Sequence, residues 1–472
     1  MATSTLNARN LERLGAPALA ELLIEVANGH GAIKRRLRLA LADATGPGEI
    51  ANQVRKRIAT IGRARSNLDW RQLRALIADL ATQHAAIAGP LATADPVAAH
   101  DLLWEFLKLA DRLFDRTDDS AGRLLDLFHA AVADLGRLAQ AADVPPDKLA
   151  DRMFDALTGP TRGQYDGLVA ALAPRLGADG LIRLNAAIAA WAVATPVADD
   201  RDMPPGIGAT GIARVATRRA AVARIVGERI ADATGNVDAY IAQQPERTRR
   251  QPLVATAIAR RLLAAGRAEA AMAAIDAADT SRLAYVPPEH DSVRLDILEA
   301  LGRHAEAQAF RWDRFTAVLH AGHLRDHLRR LPDFDDFEAE QRALALVESY
   351  PDAHAALAFL TAWPAYDRAA RMVLARPKHF DGDRYEVLAD AADLLDGAHP
   401  LAATLLRRTM IDFTLRTARA ARYAHAGRHL RECAAADTRI ADYGALPDHA
   451  TYAATLHRTH ERKTAFWQAA AV

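Results

Sequence analysis

Residues 102–114 read Leu-Leu-Trp-Glu-Phe-Leu-Lys-Leu-Ala-Asp-Arg-Leu-Phe, and their spacing decides the fold. Leu102, Leu103, Phe106, Leu107, Ala110, Leu113 and Phe114 recur three and four residues apart, which places them on one face of a 3.6-residue helix. Lys108, Asp111 and Arg112 fall on the other side. The same period runs through residues 11–26, 73–87, 124–138, 253–263 and 401–415, and runs of β-branched residues with a period of two are absent. The expected fold class is all-α.

Short Gly, Pro and Asp clusters punctuate these segments, as at Gly29-His30-Gly31, Gly46-Pro47-Gly48, Val144-Pro145-Pro146-Asp147 and Tyr285-Val286-Pro287-Pro288. Proline removes a backbone donor and clashes with the preceding turn, whereas glycine adopts the left-handed cap conformation. Connections this short make consecutive helices pack as antiparallel pairs. The longest irregular stretch, Thr195 to Gly211, is rich in Pro, Gly and Asp. It predicts an N-terminal helical domain over residues 1–198, a linker over 199–211 and a C-terminal helical array over 212–472.

Within that array the segments Leu262-Leu263-Ala264-Ala265-Gly266-Arg267 and Leu298-Glu299-Ala300-Leu301-Gly302-Arg303 place one Gly-Arg turn at two points 36 residues apart. Small Ala271 and Ala307 each follow five residues after the glycine, and Ala426-Gly427-Arg428 reads as a third copy. The pattern resembles the tetratricopeptide repeat, whose helix pairs turn on glycine and approach through small side chains. Arg311, Glu432 and Ala436 depart from that pattern. The resemblance implies antiparallel helix pairs stacked as an α-solenoid.

A wider resemblance rests on three blocks. They are Asn10-Leu11-Glu12-Arg13-Leu14-Gly15-Ala16 with Lys34-Arg35-Arg36-Leu37-Arg38-Leu39, Leu331-Pro332-Asp333-Phe334-Asp335-Asp336-Phe337-Glu338-Ala339-Glu340, and the end from His399-Pro400-Leu401 to Lys463-Thr464-Ala465-Phe466-Trp467. Together they resemble an uncharacterised bacterial family of all-helical proteins, a domain of unknown function. The closing segment is also similar to regions accompanying SWIM zinc-finger proteins. That finger needs several Cys and His ligands, and this chain has one cysteine, so the resemblance implies helical repeats and carries over no catalytic residue.

With 60 basic and 59 acidic residues the formal net charge is +1, too small for the whole molecule to attract a polyanion. A lone Cys433 excludes an intrachain disulfide framework and any zinc site built from two thiolates of this chain. Residues 1–14 are polar and lack the apolar run of a secretion signal. The most apolar stretch, 184–197, is broken by Asn185 and Pro196 and falls short of the ~20 residues that a membrane span needs. No membrane partner is expected, and the cytoplasm is the expected compartment.

Local constellations remain, each with a plain structural counterpart. Lys34, Arg35, Arg36, Arg38, Arg55, Lys56 and Arg57 form a basic patch in the most charge-asymmetric part of the chain, suited to phosphate contacts or to a solvated helical face. Aromatic interleaving there is confined to Trp70, which argues against single-strand stacking. His320, His323 and His327 share a helix face at i, i+3 and i+7 and are candidate metal ligands, although the H-E-x-x-H order is missing. The run Asp333, Asp335, Asp336, Glu338 and Glu340 with Phe334 and Phe337 reads as a helix start whose rings pack inward. Gly206-Ile207-Gly208-Ala209-Thr210-Gly211 spells G-x-G-x-x-G, but Pro204-Pro205 rather than a buried strand precedes it. A helix N-terminus there, near Arg214, Arg218 and Arg219, suits an anion.

No G-x-S-x-G, Walker A loop or supported Cys/His nucleophile is visible. The expected function is a protein-interaction scaffold or adaptor without a cofactor. Its grooves would take another protein or peptide, with Trp312, Trp363 and Tyr366 as the aromatics to inspect. The alternatives are a nucleic-acid-associated protein using the basic N-terminal region and a metal-dependent enzyme using the histidine face.

Overall fold

The computed structural model describes residues 6–195, 209–280 and 287–471, and no strand occurs among them. The chain is all-helical, with sequence-adjacent helices packed against one another. It divides into two compact units, Met1–His290 and Asp291–Val472.

In the first unit the deciding stretch forms two helices, Pro96–Leu107 and Leu109–Phe114, that break at exposed Lys108. Leu102, Leu103, Trp104, Phe106 and Leu107 are all buried. Apolar side chains reach right round Pro96–Leu107, as they do in a helix enclosed by its neighbours. It packs on Pro47–Arg63 and Arg123–Ala141. Arg123–Ala141 also meets Leu168–Val193 so closely that a Cβ at Gly136 would lie 2.3 Å from the Ala171 carbonyl oxygen.

The Leu168–Val193 helix is long and apolar enough to cross a membrane. It kinks at Gly177 and packs against Arg123–Ala141, Pro146–Thr158 and Ala209–Ala233. Val226 and Ile230 of Ala209–Ala233 join the core of the first unit, which therefore continues beyond the stretch read as a linker. Residues 199–208 of that stretch lie outside the described residues, and with them most of the G-x-G-x-x-G motif. Arg219, 2% exposed, donates to the carbonyls of Trp191 and Ala194 and so caps the end of Leu168–Val193.

The Gly-Arg turns at Gly266 and Gly302 are alike. Each glycine is left-handed, with φ of 73° and 69°, and the following arginine N–H bonds to the carbonyl five residues back, Leu262 or Leu298. Gly235-Asn236 repeats the arrangement, at φ 65° with Asn236 N–H bonded to the Ala231 carbonyl. Gly427 corrects the sequence reading, because it lies inside the Tyr423–Asp437 helix and makes no turn. Its missing side chain serves close packing, since a Cβ there would fall 2.7 Å from the Ala469 carbonyl carbon.

In the second unit Phe315, Leu357, Leu360, Val373, Leu388 and Leu406 lie in one core cluster, and Ile411, Leu415, Cys433 and Phe466 lie in another. Trp312, Trp363 and Tyr366 pack half-buried against the first of these.

Candidate functional site

Three helices of the first unit build a basic cleft. Gly31–Thr45 turns back into Pro47–Arg63 through Gly46, whose φ of 137° needs a glycine, and Pro47 pre-sets the first helical turn. Ile50, Val54, Ile58 and Ile61 bury one face of Pro47–Arg63, which leaves Gln53, Lys56, Arg57 and Thr60 outside the core. The third helix, Trp70–Ala86, starts from a capping box in which Asp69 accepts from the Gln72 backbone and Gln72 accepts from the Asp69 backbone. Its Gln83 completes a cavity of about 390 Å³, with Lys34, Arg35 and Arg38 on one wall and Lys56 and Arg57 on the other.

Beneath these cations lies one buried carboxylate, Asp79, 6% exposed. It accepts from Arg57 Nε at 2.8 Å and from Gln83 Nε2 at 3.2 Å, and Arg35 Nε stands 3.2 Å away in an ionic contact. Two guanidiniums and an amide thus answer the one negative charge. Lys34, Arg38 and Lys56 are exposed and have no ion-pair partner among the described residues. Of the seven residues in the sequence-derived patch, five line this cleft. Arg36 is exposed and is not among its lining residues, and Arg55 stands 3.6 Å from Glu105.

Positive charge continues along the same helix. Arg63, Arg65, Arg112 and Arg116 line a second cavity at its C-terminal end. Arg112 and Arg116 are committed there, donating to the Gly62 and Ile61 carbonyls that the helix end leaves open. Arg63 and Arg65 remain exposed. Lys56 and Arg63 stand seven residues apart, roughly 10 Å of helical rise. Trp70 is 68% exposed, with the Arg71 guanidinium 5.0 Å from its ring centre.

Of the three candidate histidines two stay together and the third packs elsewhere. His320 caps Ala321–Leu328, and its ring centre lies 4.8 Å from that of His323. His327 packs on Trp312 at 5.4 Å, with Nδ1 3.3 Å from the Gln308 carbonyl. Burial lowers the pKa of His323 and of His327. Among the described residues no three His, Cys, Asp or Glu side chains converge as a metal site. In the acidic run, Asp335, Asp336 and Glu338 do occupy the first turn of Asp335–Glu348. The two phenyl rings do not pack inward as expected: Phe334 is 88% and Phe337 64% exposed.

One polar cluster escaped the sequence reading. In the second unit Tyr385 Oη lies 2.9 Å from His429 Nε2, and His429 Nδ1 lies 2.9 Å from Glu432. Burial lowers the His429 pKa, against the Glu432 carboxylate that raises it. In the neutral ring Nδ1–H donates to the Glu432 carboxylate and Nε2 accepts a hydrogen bond from the Tyr385 O–H. Tyr385 also borders a cavity of about 440 Å³ with Asp383, Arg422 and His425. Only the His429 and Glu432 spacing was visible in sequence, because Tyr385 stands 44 residues away.

The fold and the cleft define an all-helical protein with a locally basic site on an otherwise near-neutral chain. The chain belongs to a family of unknown function, DUF6880, whose model matches residues 1–469. No curated protein matches it.

Proposed function

We propose that the protein acts by binding and that the basic cleft of its first unit takes the phosphate backbone of a nucleic acid. The observation that carries this reading is the excess of cations in the cleft: Asp79 is committed to Arg35 and Arg57, and Lys34, Arg38 and Lys56 on facing helices have no ion-pair partner among the described residues. Burying Asp79 under Arg35 and Arg57 sets the walls, and the unpaired cations supply the attraction. Arg63 and Arg65 extend the track past the C-terminal end of Pro47–Arg63, so successive phosphates have successive partners.

Fluorescence anisotropy with a labelled single-stranded 12-mer tests the reading. Three phosphate contacts on a single strand give a log–log salt slope of about −2, so affinity falls about 20-fold between 50 and 200 mM salt. Lys34→Glu with Lys56→Glu abolishes binding at 50 mM. Absence of binding by the native chain at low salt, or binding that ignores salt, overturns the proposal.

A scaffold of tetratricopeptide-like repeats that binds protein is the second reading, and the shared turn geometry at Gly235, Gly266 and Gly302 favours it. The two readings are compatible, since a helical-repeat adaptor presents nucleic acid and protein surfaces on different helices.

A further inference from the structure

We infer that the nucleic acid this cleft takes is RNA, recognised by a ribose 2′-hydroxyl held between Gln83 and Arg35; the inference rests on the backbone-binding reading above. Gln83 is 1% exposed, and its Nε2 is committed to Asp79 Oδ1 at 3.2 Å. That bond fixes the amide, because the flipped orientation would set its oxygen against a carboxylate that only accepts. Gln83 Oε1 is therefore an acceptor in the cleft lining with no hydrogen-bond partner among the described residues. Arg35 Nε, on the other flank of Asp79, is a buried donor that makes an ionic contact at 3.2 Å but no hydrogen bond.

A buried acceptor and a buried donor on the two flanks of Asp79, neither with a hydrogen-bond partner among the described residues, match a group that both donates and accepts, which a phosphate does not and a hydroxyl does. The rim cations Lys34, Arg38 and Lys56 hold phosphates, so the group carried to the floor between them is the sugar. Cations alone read DNA and RNA backbones alike, and the 2′-hydroxyl is what separates the two.

The test uses the full chain at 100 mM salt and 12-mers of one sequence without uridine or thymidine, so that RNA and DNA differ only at the 2′ position. RNA is expected to bind about tenfold tighter than DNA, the effect of one hydrogen-bonded hydroxyl in a buried setting. Gln83→Met should bring the ratio near one with the salt slope unchanged. Should that variant unfold, 2′-O-methyl RNA on the native chain gives the same answer, because its methoxy oxygen cannot donate and it should bind like DNA. Equal affinity for RNA and DNA with a retained salt slope overturns this inference and leaves the backbone reading standing. Binding of neither overturns the backbone reading and this inference with it. Displacement of the oligomer by AMP at concentrations near the oligomer Kd would replace the polymer with a mononucleotide and also overturn it.

Discussion

Arg57 Nε donates to the Asp79 carboxylate at 2.8 Å, tying the second helix of the basic hairpin to the helix that floors the cleft. Asp79 is nearly buried, whereas the Arg57 side chain keeps 26% of its exposure, so water screens part of the interaction. Asp79→Asn should therefore cost about 2 kcal/mol, below the value for a fully buried pair, read from urea unfolding. The same change removes the one negative charge beneath the cations. Oligonucleotide affinity should rise about threefold or more at low salt while stability falls. If both move down together, the carboxylate organises the site rather than opposing the ligand.

The turn at Gly266 isolates backbone strain from packing, because its φ is +73° and a Cβ built there meets no atom within 4 Å. Gly266→Ala should cost about 1 kcal/mol by urea unfolding, and Gly266→Asn less, since asparagine visits the left-handed region more readily. Gly235→Ala and Gly302→Ala should match it, as both share the conformation and the open surroundings. A spread of several kcal/mol among the three would contradict one common turn.

These glycines show where the sequence was legible and where it was not. Helical period in residues 102–114 is a local property and reads directly, but the break at Lys108 does not, because Leu107 and Leu109 continue the apolar run. Gly266 and Gly427 stand in the same Gly-Arg dipeptide, yet one turns the chain and the other lies in a helix. Only the partner across the interface, Ala469, distinguishes them. Gly235 went unseen because asparagine follows it. The basic patch was legible as a density of charge, but its division was not. Asp79 and Gln83 come from a third helix, and their choice of Arg35 and Arg57 decides which cations stay unpaired.

Close packing at Gly427 makes a further prediction. A Cβ there would lie 2.7–2.8 Å from the backbone of Ala469 and Ala470, and backbone cannot step aside as a flexible side-chain tip can. Gly427→Ala should destabilise the protein by roughly 1–3 kcal/mol through overpacking. The loss should concentrate in the Thr464–Ala471 helix, whose Ala469 carbonyl accepts from Arg431, and hydrogen exchange there should speed up ahead of the rest of the unit. Unchanged exchange in that helix would show that the two helices can separate without penalty.

Acid sensitivity should trace to His100. This ring is 2% exposed, and its Nε2 accepts from Trp104 Nε1 at 3.2 Å, a role open only to the neutral imidazole. Burial, reinforced by the Arg152 guanidinium, pushes its pKa from 6.5 down to about 4. Between those values the unfolded chain binds a proton that the folded chain refuses, so stability rises with pH across the window. The contribution is fully present above pH 6.5 and is lost as the pH falls towards 4. Burial also lowers His84 and His429, which add in the same direction. His100→Gln keeps an acceptor for the Trp104 indole and removes the titration. On going from pH 7 to pH 5 the native sequence should lose about 2 kcal/mol more than this variant, read by urea unfolding with Trp fluorescence. Parallel pH profiles for the two proteins would place the acid sensitivity elsewhere and leave the Trp104 bond without a pH-dependent role.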